Sequence, residues 1–477
     1  MREKKGDAIM GEKWFVHPYI PNSVPEIREE MLREIGVDDV EALFVEIPSH
    51  LRFKGRLDIP EPIQSEAGIQ RHVEQILAKN KTCKEYLNFL GAGCGQHHVP
   101  AVVDEIVGRS EFVTAYCGAN YSDHGKYQTR FEFNSMMGEL LNMDAVANPI
   151  YDWGHAAGIA LRMASRITGH NRVLIPKTTG PERLAQIRNL LQPEVMPTHI
   201  AIVLVDYDAD TGLLNLEDLR NKISGETAAV YIENPSYLGI IENQGPEISR
   251  ITHDHGAIFI VGTDPISLGI LAPPADYGAD IACGDLQPLG IHMNCGGGQS
   301  GFVAFHDDVT YLSECPLELY TIMETEVEGQ YAVAEMIAER TSYGSRDKGK
   351  DWVATASGLW TIGAAVYLSL MGPQGMKEIG KTIISNARYA RNLLGAIDGV
   401  NVQFATASFK EFVVNFDGTG KSVSKINKSL LERKIFGGKD LSVEFPEFGN
   451  SALYCITEIH TREDIERMVE AVGEVIK

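Results

Sequence analysis

Between Lys222 and Lys348 the chain contains no lysine. That stretch offers no primary amine to attack a carbonyl or to hold an aldehyde as an imine. Cysteine is scarce as well: seven in 477 residues, at 83, 94, 117, 283, 295, 315 and 455, with no CxxC pair. Such spacing argues against a zinc site, and an odd, scattered set fits a reducing cytoplasm better than a disulfide framework. Positive charge is also in short supply, with 43 Lys and Arg against 65 Asp and Glu and a formal net charge of −22. A nucleic-acid backbone or an anionic membrane demands clustered cations, so neither is an expected partner. No run approaches the ~18 uninterrupted apolar residues that suggest a membrane span. The charged opening MREKKGDAIMGEKW lacks the apolar centre of a signal peptide. A cytoplasmic location is expected.

What is present is an ordinary globular composition, 44% hydrophobic and 23% charged, in a chain long enough for a large core and a second domain. Residues 1–70 form an N-terminal arm with helical pieces. VPEIREEMLREIG has apolar positions recurring at three and four before a glycine stop. IPSHLRFKGRLDIPEPI reads as an extended, proline-punctuated arm, either reaching a partner subunit or lying as a surface loop. Residues 71–325 alternate short β-branched runs (RVLIP, HIAIVLV, AAVYIEN, AIFIVG, ADIAC) with helical patterns such as SEAGIQRHVEQILAKN, RFEFNSMMGELLNM, HAAGIALRMASRITG and PERLAQIRNLLQ. Short apolar strands separated by helices predict a large α/β domain with a mostly parallel sheet covered on both faces. Residues 326–477 read as a smaller C-terminal α+β domain. Its expected helices are EGQYAVAEMIAER, LWTIGAAVYLSLMG and TREDIERMVEAVGEVI, and its strands VNVQFA, EFVVNF and ALYCIT.

Several places could carry chemistry. A helix opening at Trp153-Gly154-His155 could hold a phosphate on its free N–H groups, or could simply pack tightly on the sheet. Asp264 follows the apolar run IFIVGT, at the strand edge where α/β ligands bind. In pyridoxal phosphate (PLP) enzymes an aspartate so placed pairs with the pyridinium nitrogen; the alternative is a turn or cap before Pro265. If the first holds, the imine-forming lysine belongs about one strand and turn later. That position falls in GDLQPLG, around Gln287 and Pro288, inside the lysine-free stretch. A self-contained PLP site is therefore not expected. Residues 89–133 form a polar-aromatic region of the kind that is often functional. Its candidates for contact with substrate or a partner are Cys94, His97, His98, Tyr116, Asn120, Tyr121, His124, Lys126 and Arg130. His97 and His98 are adjacent and would face opposite ways on a strand, so no metal site is expected. Gly296, Gly297 and Gly298 add a loop whose amides could face an anion.

At these residues the sequence resembles the P-protein family of the glycine cleavage system, and within it the α chain (subunit 1) of the two-chain glycine decarboxylase. FVEIPSHLRFKGRLDIP is similar to the family's entry arm, and FLGAG…PAVVD…RSEF with TAY to its first active-site loop. FEFNSMMGELLNMDAVAN, PPADYGADIACGDLQPLGI and AAVYLSLMGPQGMKEI resemble further family stretches. Three loops differ from the family's usual pattern: TAYCGANYSD, WGHAAGIA and GKDWVATASG. The resemblance implies the fold-type-I architecture of PLP-dependent transferases in a chain that has lost the lysine, with Pro288 at its position. PLP would then reside on a homologous β subunit that decarboxylates glycine and passes the aminomethyl group to a lipoyl H-protein. On this reading no catalytic residue lies on this chain alone. Gly154, His155, Asp264, Gln287, Pro288 and Gly296–Gly298 would be cofactor-proximal or vestigial. Two alternatives stay open: a diverged subunit of a related PLP complex acting on another small amino compound, and a non-catalytic scaffold or regulatory protein.

Overall fold

The structure, a computed structural model, describes all residues except 1–15, 18, 54–57, 114–125, 194–197, 295–298, 352 and 354–357. Contacts divide the chain into two compact units, Met1–Asn80 and Lys81–Lys477.

The first unit holds two helices with readable ends. Pro25–Ile35 starts with proline at its first turn, and Gly36 closes it at φ 84, a left-handed conformation that glycine adopts without cost. Ser65 caps Glu66–Leu77 by accepting from the Gly68 N–H at 3.1 Å. Among the described residues of this unit only Leu32 is buried; Met31, Ile35, Phe44, Val73, Ile76 and Leu77 are exposed.

The second unit is built on a seven-stranded sheet. Its strands in chain order are β1 (Ala145–Ile150), β2 (Arg172–Pro176), β3 (Ala201–Val205), β4 (Ala229–Glu233), β5 (Ile258–Thr263), β6 (Ile281–Asp285) and β7 (Gly301–Phe305). They lie in the order β1-β7-β6-β5-β4-β2-β3, all pairs parallel except the two that β7 makes. Alternate strand residues enter different cores: Leu174, Phe259 and Val261 join one face, while Val173, Ile175 and Ile260 join the other. Both faces are covered, which is why these strands read as continuous apolar runs. On one face lies the helix Trp153–Thr168, buried along most of its length.

The remainder contains a four-stranded antiparallel sheet, in the order Asn401–Val402, Glu411–Asn415, Ser451–Cys455, Lys439–Asp440. A third core covers it, drawing on Phe412, Val414, Ile465 and Met468. The closing helix Arg462–Val475 begins with a reciprocal capping box between Thr461 and Asp464. The helix Gly358–Gly395 is broken at Gly372, φ 56, just ahead of Pro373.

One element departs from expectation. EGQYAVAEMIAER does not form a helix; Tyr331–Glu335 pairs antiparallel with Tyr320–Glu324 as a hairpin. Alanine and glutamate favour helix intrinsically, but pairing with a neighbouring strand outweighs so weak a preference. No helix of the described residues is long and apolar enough to cross a membrane.

Candidate functional site

The C-terminal ends of β5 and β6 place Asp264 and Asp285 side by side at the ligand-binding edge of the sheet. Asp264 caps a short 3-10 turn, its Oδ1 accepting from the Ile266 N–H at 3.0 Å. Its other oxygen is ion-paired with Lys410 Nζ, and both side chains are buried. Burial works against the Lys410 charge, but Asp264 and Glu411 more than offset it and hold its pKa above the ordinary lysine value. Lys410 arrives from the segment leading into the strand Glu411–Asn415. Burial also raises the Glu411 pKa, with Lys410 opposing.

Asp285 is placed differently. It accepts from the Gln287 N–H at 2.8 Å. Burial pushes its pKa up to about 7, although that hydrogen bond and Arg183 pull the other way. Pro288 follows in a turn closed by the Leu289 N–H donating to the Leu286 carbonyl at 2.9 Å. Gln287 staples this turn, its Nε2 donating to the Ile291 carbonyl at 3.0 Å.

Above these strand ends the space is filled by the chain's own side chains. The Arg183 guanidinium lies 3.7 Å from the centroid of the Trp153 ring and donates to Glu233 Oε2 at 3.0 Å. Trp153 Nε1 donates to the Tyr231 hydroxyl at 2.9 Å, which donates to Glu233 Oε1 at 3.1 Å. Gly262 on β5 makes the arrangement possible: a Cβ there would lie 2.5 Å from Trp153 Nε1 and 2.5 Å from the Tyr231 hydroxyl. What remains is a cavity of about 20 Å³, touching Trp153, Arg183, Asp264, Asp285, Pro288 and Lys410. A site of that size holds about one water.

These residues do not fit PLP. A cofactor of that class needs a pocket of roughly 300 Å³ or more, an amine to hold its aldehyde, and an anion site for its phosphate. Pro288 supplies no amine, and Lys410 is committed to Asp264. The helix start at Trp153 is already capped by a carboxylate. Asp152 Oδ1 accepts from the His155 N–H at 2.9 Å, and its Oδ2 accepts from Gln186 Nε2 at 2.9 Å. A phosphate arriving there would meet like charge. Gly154 faces Gln186, whose Oε1 would be 2.3 Å from an added Cβ. His155 packs at a tilt against Tyr151, ring centroids 4.9 Å apart, and burial lowers its pKa.

The other sequence candidates scatter by role. His97 is buried and contacts Glu458 through Nδ1 at 2.9 Å, while the His98 N–H donates to the same carboxylate at 2.7 Å. Burial raises the Glu458 pKa, but His97 and the His98 amide outweigh it and bring the value down to about 2. The imidazole of His97 thus clamps residues 96–98 to the end of the small sheet, and His98 is left exposed. Cys94 receives a hydrogen bond from Gln299 Nε2 at 3.3 Å, and burial raises its pKa to about 11, so its thiol stays protonated. Lys126 and Arg130 are buried, and Arg130 donates to the Tyr320 hydroxyl at 2.7 Å. Arg130 is thus a buried donor to the hairpin, not a cation on an open loop. Tyr116, Asn120, Tyr121, His124 and Gly296–Gly298 lie outside the described residues.

Sequence reasoning missed Trp153, Arg183, Glu233 and Lys410 as members of the strand-end cluster. A signal existed for Lys410: in Phe409-Lys410-Glu411-Phe412 a charged pair interrupts an apolar run, and a charge carried into a core needs a partner.

Known proteins share this fold and sequence. The family model for the glycine cleavage system P-protein matches residues 17–472. The chain is 38% identical over 469 residues to the probable glycine dehydrogenase (decarboxylating) subunit 1 of Staphylothermus marinus, covering 96% of this chain and 98% of that one. It is 35% identical over 461 residues to the protein of the same description from Pyrococcus furiosus, covering 96% and 99%. Among solved structures, an inhibitor-bound glycine decarboxylase (P-protein) of the glycine cleavage system superposes with a TM-score of 0.83 at 31% identity, covering 96% of this chain and all of that one. The sphingosine-1-phosphate lyase of Burkholderia pseudomallei shares the fold at 14% identity and a TM-score of 0.64, covering 90% and 94%. The sheet order, the single reversed strand and these matches are those of fold-type-I PLP enzymes, and the chain belongs to the glycine cleavage system P-protein family.

Proposed function

We propose that this chain is the α subunit of a glycine-decarboxylating complex, with PLP carried by a homologous β subunit and the aminomethyl product passed to a lipoyl H-protein. The observation that supports this reading best is the occupied strand-end cavity. The place where a fold-type-I enzyme holds its cofactor is taken by Trp153, Arg183 and the Lys410–Asp264 pair, with about 20 Å³ left over. The fold is retained, so its use lies outside that cavity. Residues 91–100, anchored through His97 and Glu458, are the part of the family's first active-site loop that this chain would present to its partner. Met31, Phe44, Val73 and Leu77 of the first unit are exposed apolar residues that a second subunit could cover.

The test is reconstitution. The chain alone, incubated with PLP, should trap no stoichiometric cofactor on borohydride reduction and should catalyse no exchange of bicarbonate into glycine. Mixed with subunit 2 and a lipoylated H-protein, it should restore that exchange. Stoichiometric trapping on the isolated chain would overturn the placement of PLP. Undiminished exchange by subunit 2 without this chain would overturn its role in the active site.

A further inference from the structure

The second half of the helix Gly358–Gly395 carries Arg388 and Arg391 one turn apart, facing the segment 404–408. Between them opens a cleft of about 500 Å³, lined also by Ser385, Asn392, Thr406 and Ser408 and by no carboxylate. In a chain with 65 acidic residues and a net charge of −22, a cleft holding two guanidinium groups and no acid stands apart from its surroundings.

The two arginines are held unequally. Arg391 Nη1 donates to Ser408 Oγ at 2.7 Å and to the Thr406 carbonyl at 3.2 Å, and Nη2 donates to the Phe404 carbonyl at 3.1 Å. Every one of those acceptors is neutral, so the guanidinium is oriented while its charge stays uncompensated. Among the described residues Arg388 has no hydrogen-bond or ion-pair partner. An exposed arginine on a helix commonly pairs with an acid three or four positions away. The residues at those positions around Arg388 are Ile384, Ser385, Arg391 and Asn392, which offer no carboxylate and a second positive charge. Burial and the nearby Arg388 both lower the Arg391 pKa, the direction expected when like charges share a partly desolvated site.

We propose that this cleft binds a small oxyanion, the phosphate or carboxylate group of a metabolite-sized molecule, between Arg388 and Arg391 with the Ser385, Thr406 and Ser408 hydroxyls around it. The volume falls in the range of small-molecule pockets, and paired guanidinium groups with hydroxyl neighbours match the acceptor geometry of such anions. The site lies behind the segment that delivers Lys410. Ser408 bridges Ile240, the Ile241 N–H donates to the Ala407 carbonyl at 3.0 Å, and the Phe409 N–H donates to the Gly239 carbonyl at 2.9 Å. An anion held by Arg391 would thus steady the chain two residues before the Lys410–Asp264 pair. This inference is independent of the glycine-decarboxylase reading and concerns a different part of the fold.

Thermal unfolding and calorimetric titration of the full chain at fixed ionic strength test it, with inorganic phosphate, glycerol phosphate and malonate as probes and chloride as control. At least one probe should stabilise the protein saturably, as a ligand specific to the folded state does. Ranking the three separates free phosphate, a phosphate monoester and a dicarboxylate as the source. Arg388→Gln, at an exposed side chain without a partner, should weaken that binding at least tenfold while leaving the ligand-free midpoint unchanged or slightly raised. Arg388→Glu should abolish binding. The proposal fails if no probe exceeds chloride, if binding survives in Arg388→Gln, or if the ligand-free Arg388→Gln protein is markedly less stable, which would make Arg388 a structural prop.

Discussion

Two neighbouring strand ends carry the same residue under opposite terms. Asp264, after β5, is paired with the Lys410 ammonium. Asp285, at the end of β6, has a backbone N–H from Gln287 and a pKa raised by burial to about 7. In one case a cation from a segment distant in the sequence satisfies the buried carboxylate. In the other the carboxyl folds most comfortably with its proton. The contrast is one of electrostatics as much as of volume: a carboxyl buried at a strand end must find a cation or become neutral.

The largest effect should follow from breaking the compensated end. Lys410→Met leaves Asp264 buried with its charge unpaired, and removing one member of a buried ion pair typically costs about 3–5 kcal/mol. Equilibrium denaturation should show that loss, and adding Asp264→Asn should recover most of it. A double variant as unstable as the single one would mean that Lys410 acts through packing and not through Asp264.

A smaller effect should appear at the other end, and with a sign set by pH. The unfolded aspartate titrates near ~3.9, while the folded Asp285 carboxyl titrates at about 7. Between these values the folded chain keeps a proton that the unfolded chain releases, so this contribution to stability is complete below pH 4 and is lost as pH rises through about 7. Asp285→Asn cannot ionise and can still accept from the Gln287 N–H. It should therefore match the wild type at pH 4 and exceed it at pH 8, by at most the ~4 kcal/mol that raising a carboxyl pKa from ~3.9 to about 7 corresponds to. A difference that does not vary with pH would remove ionisation of Asp285 from the account.

How much of this was legible in the sequence depends on distance along the chain. β2 to β6 announced themselves as short β-branched runs because both sheet faces are buried. β1 did not, since Pro149 interrupts it, and an edge strand tolerates a proline that a central strand would not. β7 was obscured by the glycines before it. The hairpin Tyr320–Glu335 was hidden because its alanines and glutamates carry a helical preference that strand pairing overrides. In the site, Asp264 was legible from its strand end and the missing amine from the lysine gap, which are local features, while Pro288 as the lysine's position rested on the family resemblance alone. Lys410, Arg183 and Trp153 were not legible, because what they fill is a space created only when distant elements meet. Gly262 shows the limit well: its meaning is the room it leaves for an indole more than a hundred residues away in sequence.

The smallest effect should come from the substitution that looks most restorative. Pro288→Lys returns an amine to the position where the P-protein family resemblance places the PLP lysine, yet it restores neither the pocket nor the phosphate site. The new ammonium would enter about 20 Å³ lined by Asp264, Asp285, Lys410 and Glu411, where Lys410 already holds Asp264 and Asp285 is open to an ion pair. Ion pairing there should lower the Asp285 pKa and flatten the pH dependence just described. After incubation with PLP and removal of the excess, the variant should show no imine-linked pyridoxal absorption beyond that of the wild type. A stoichiometric band specific to Pro288→Lys would show that the lysine alone was missing, and that Trp153, Arg183 and Asp152 yield readily to the cofactor. Its absence, together with a flattened pH profile, would show that the strand ends have been rebuilt around charges of their own, beyond the reach of one residue.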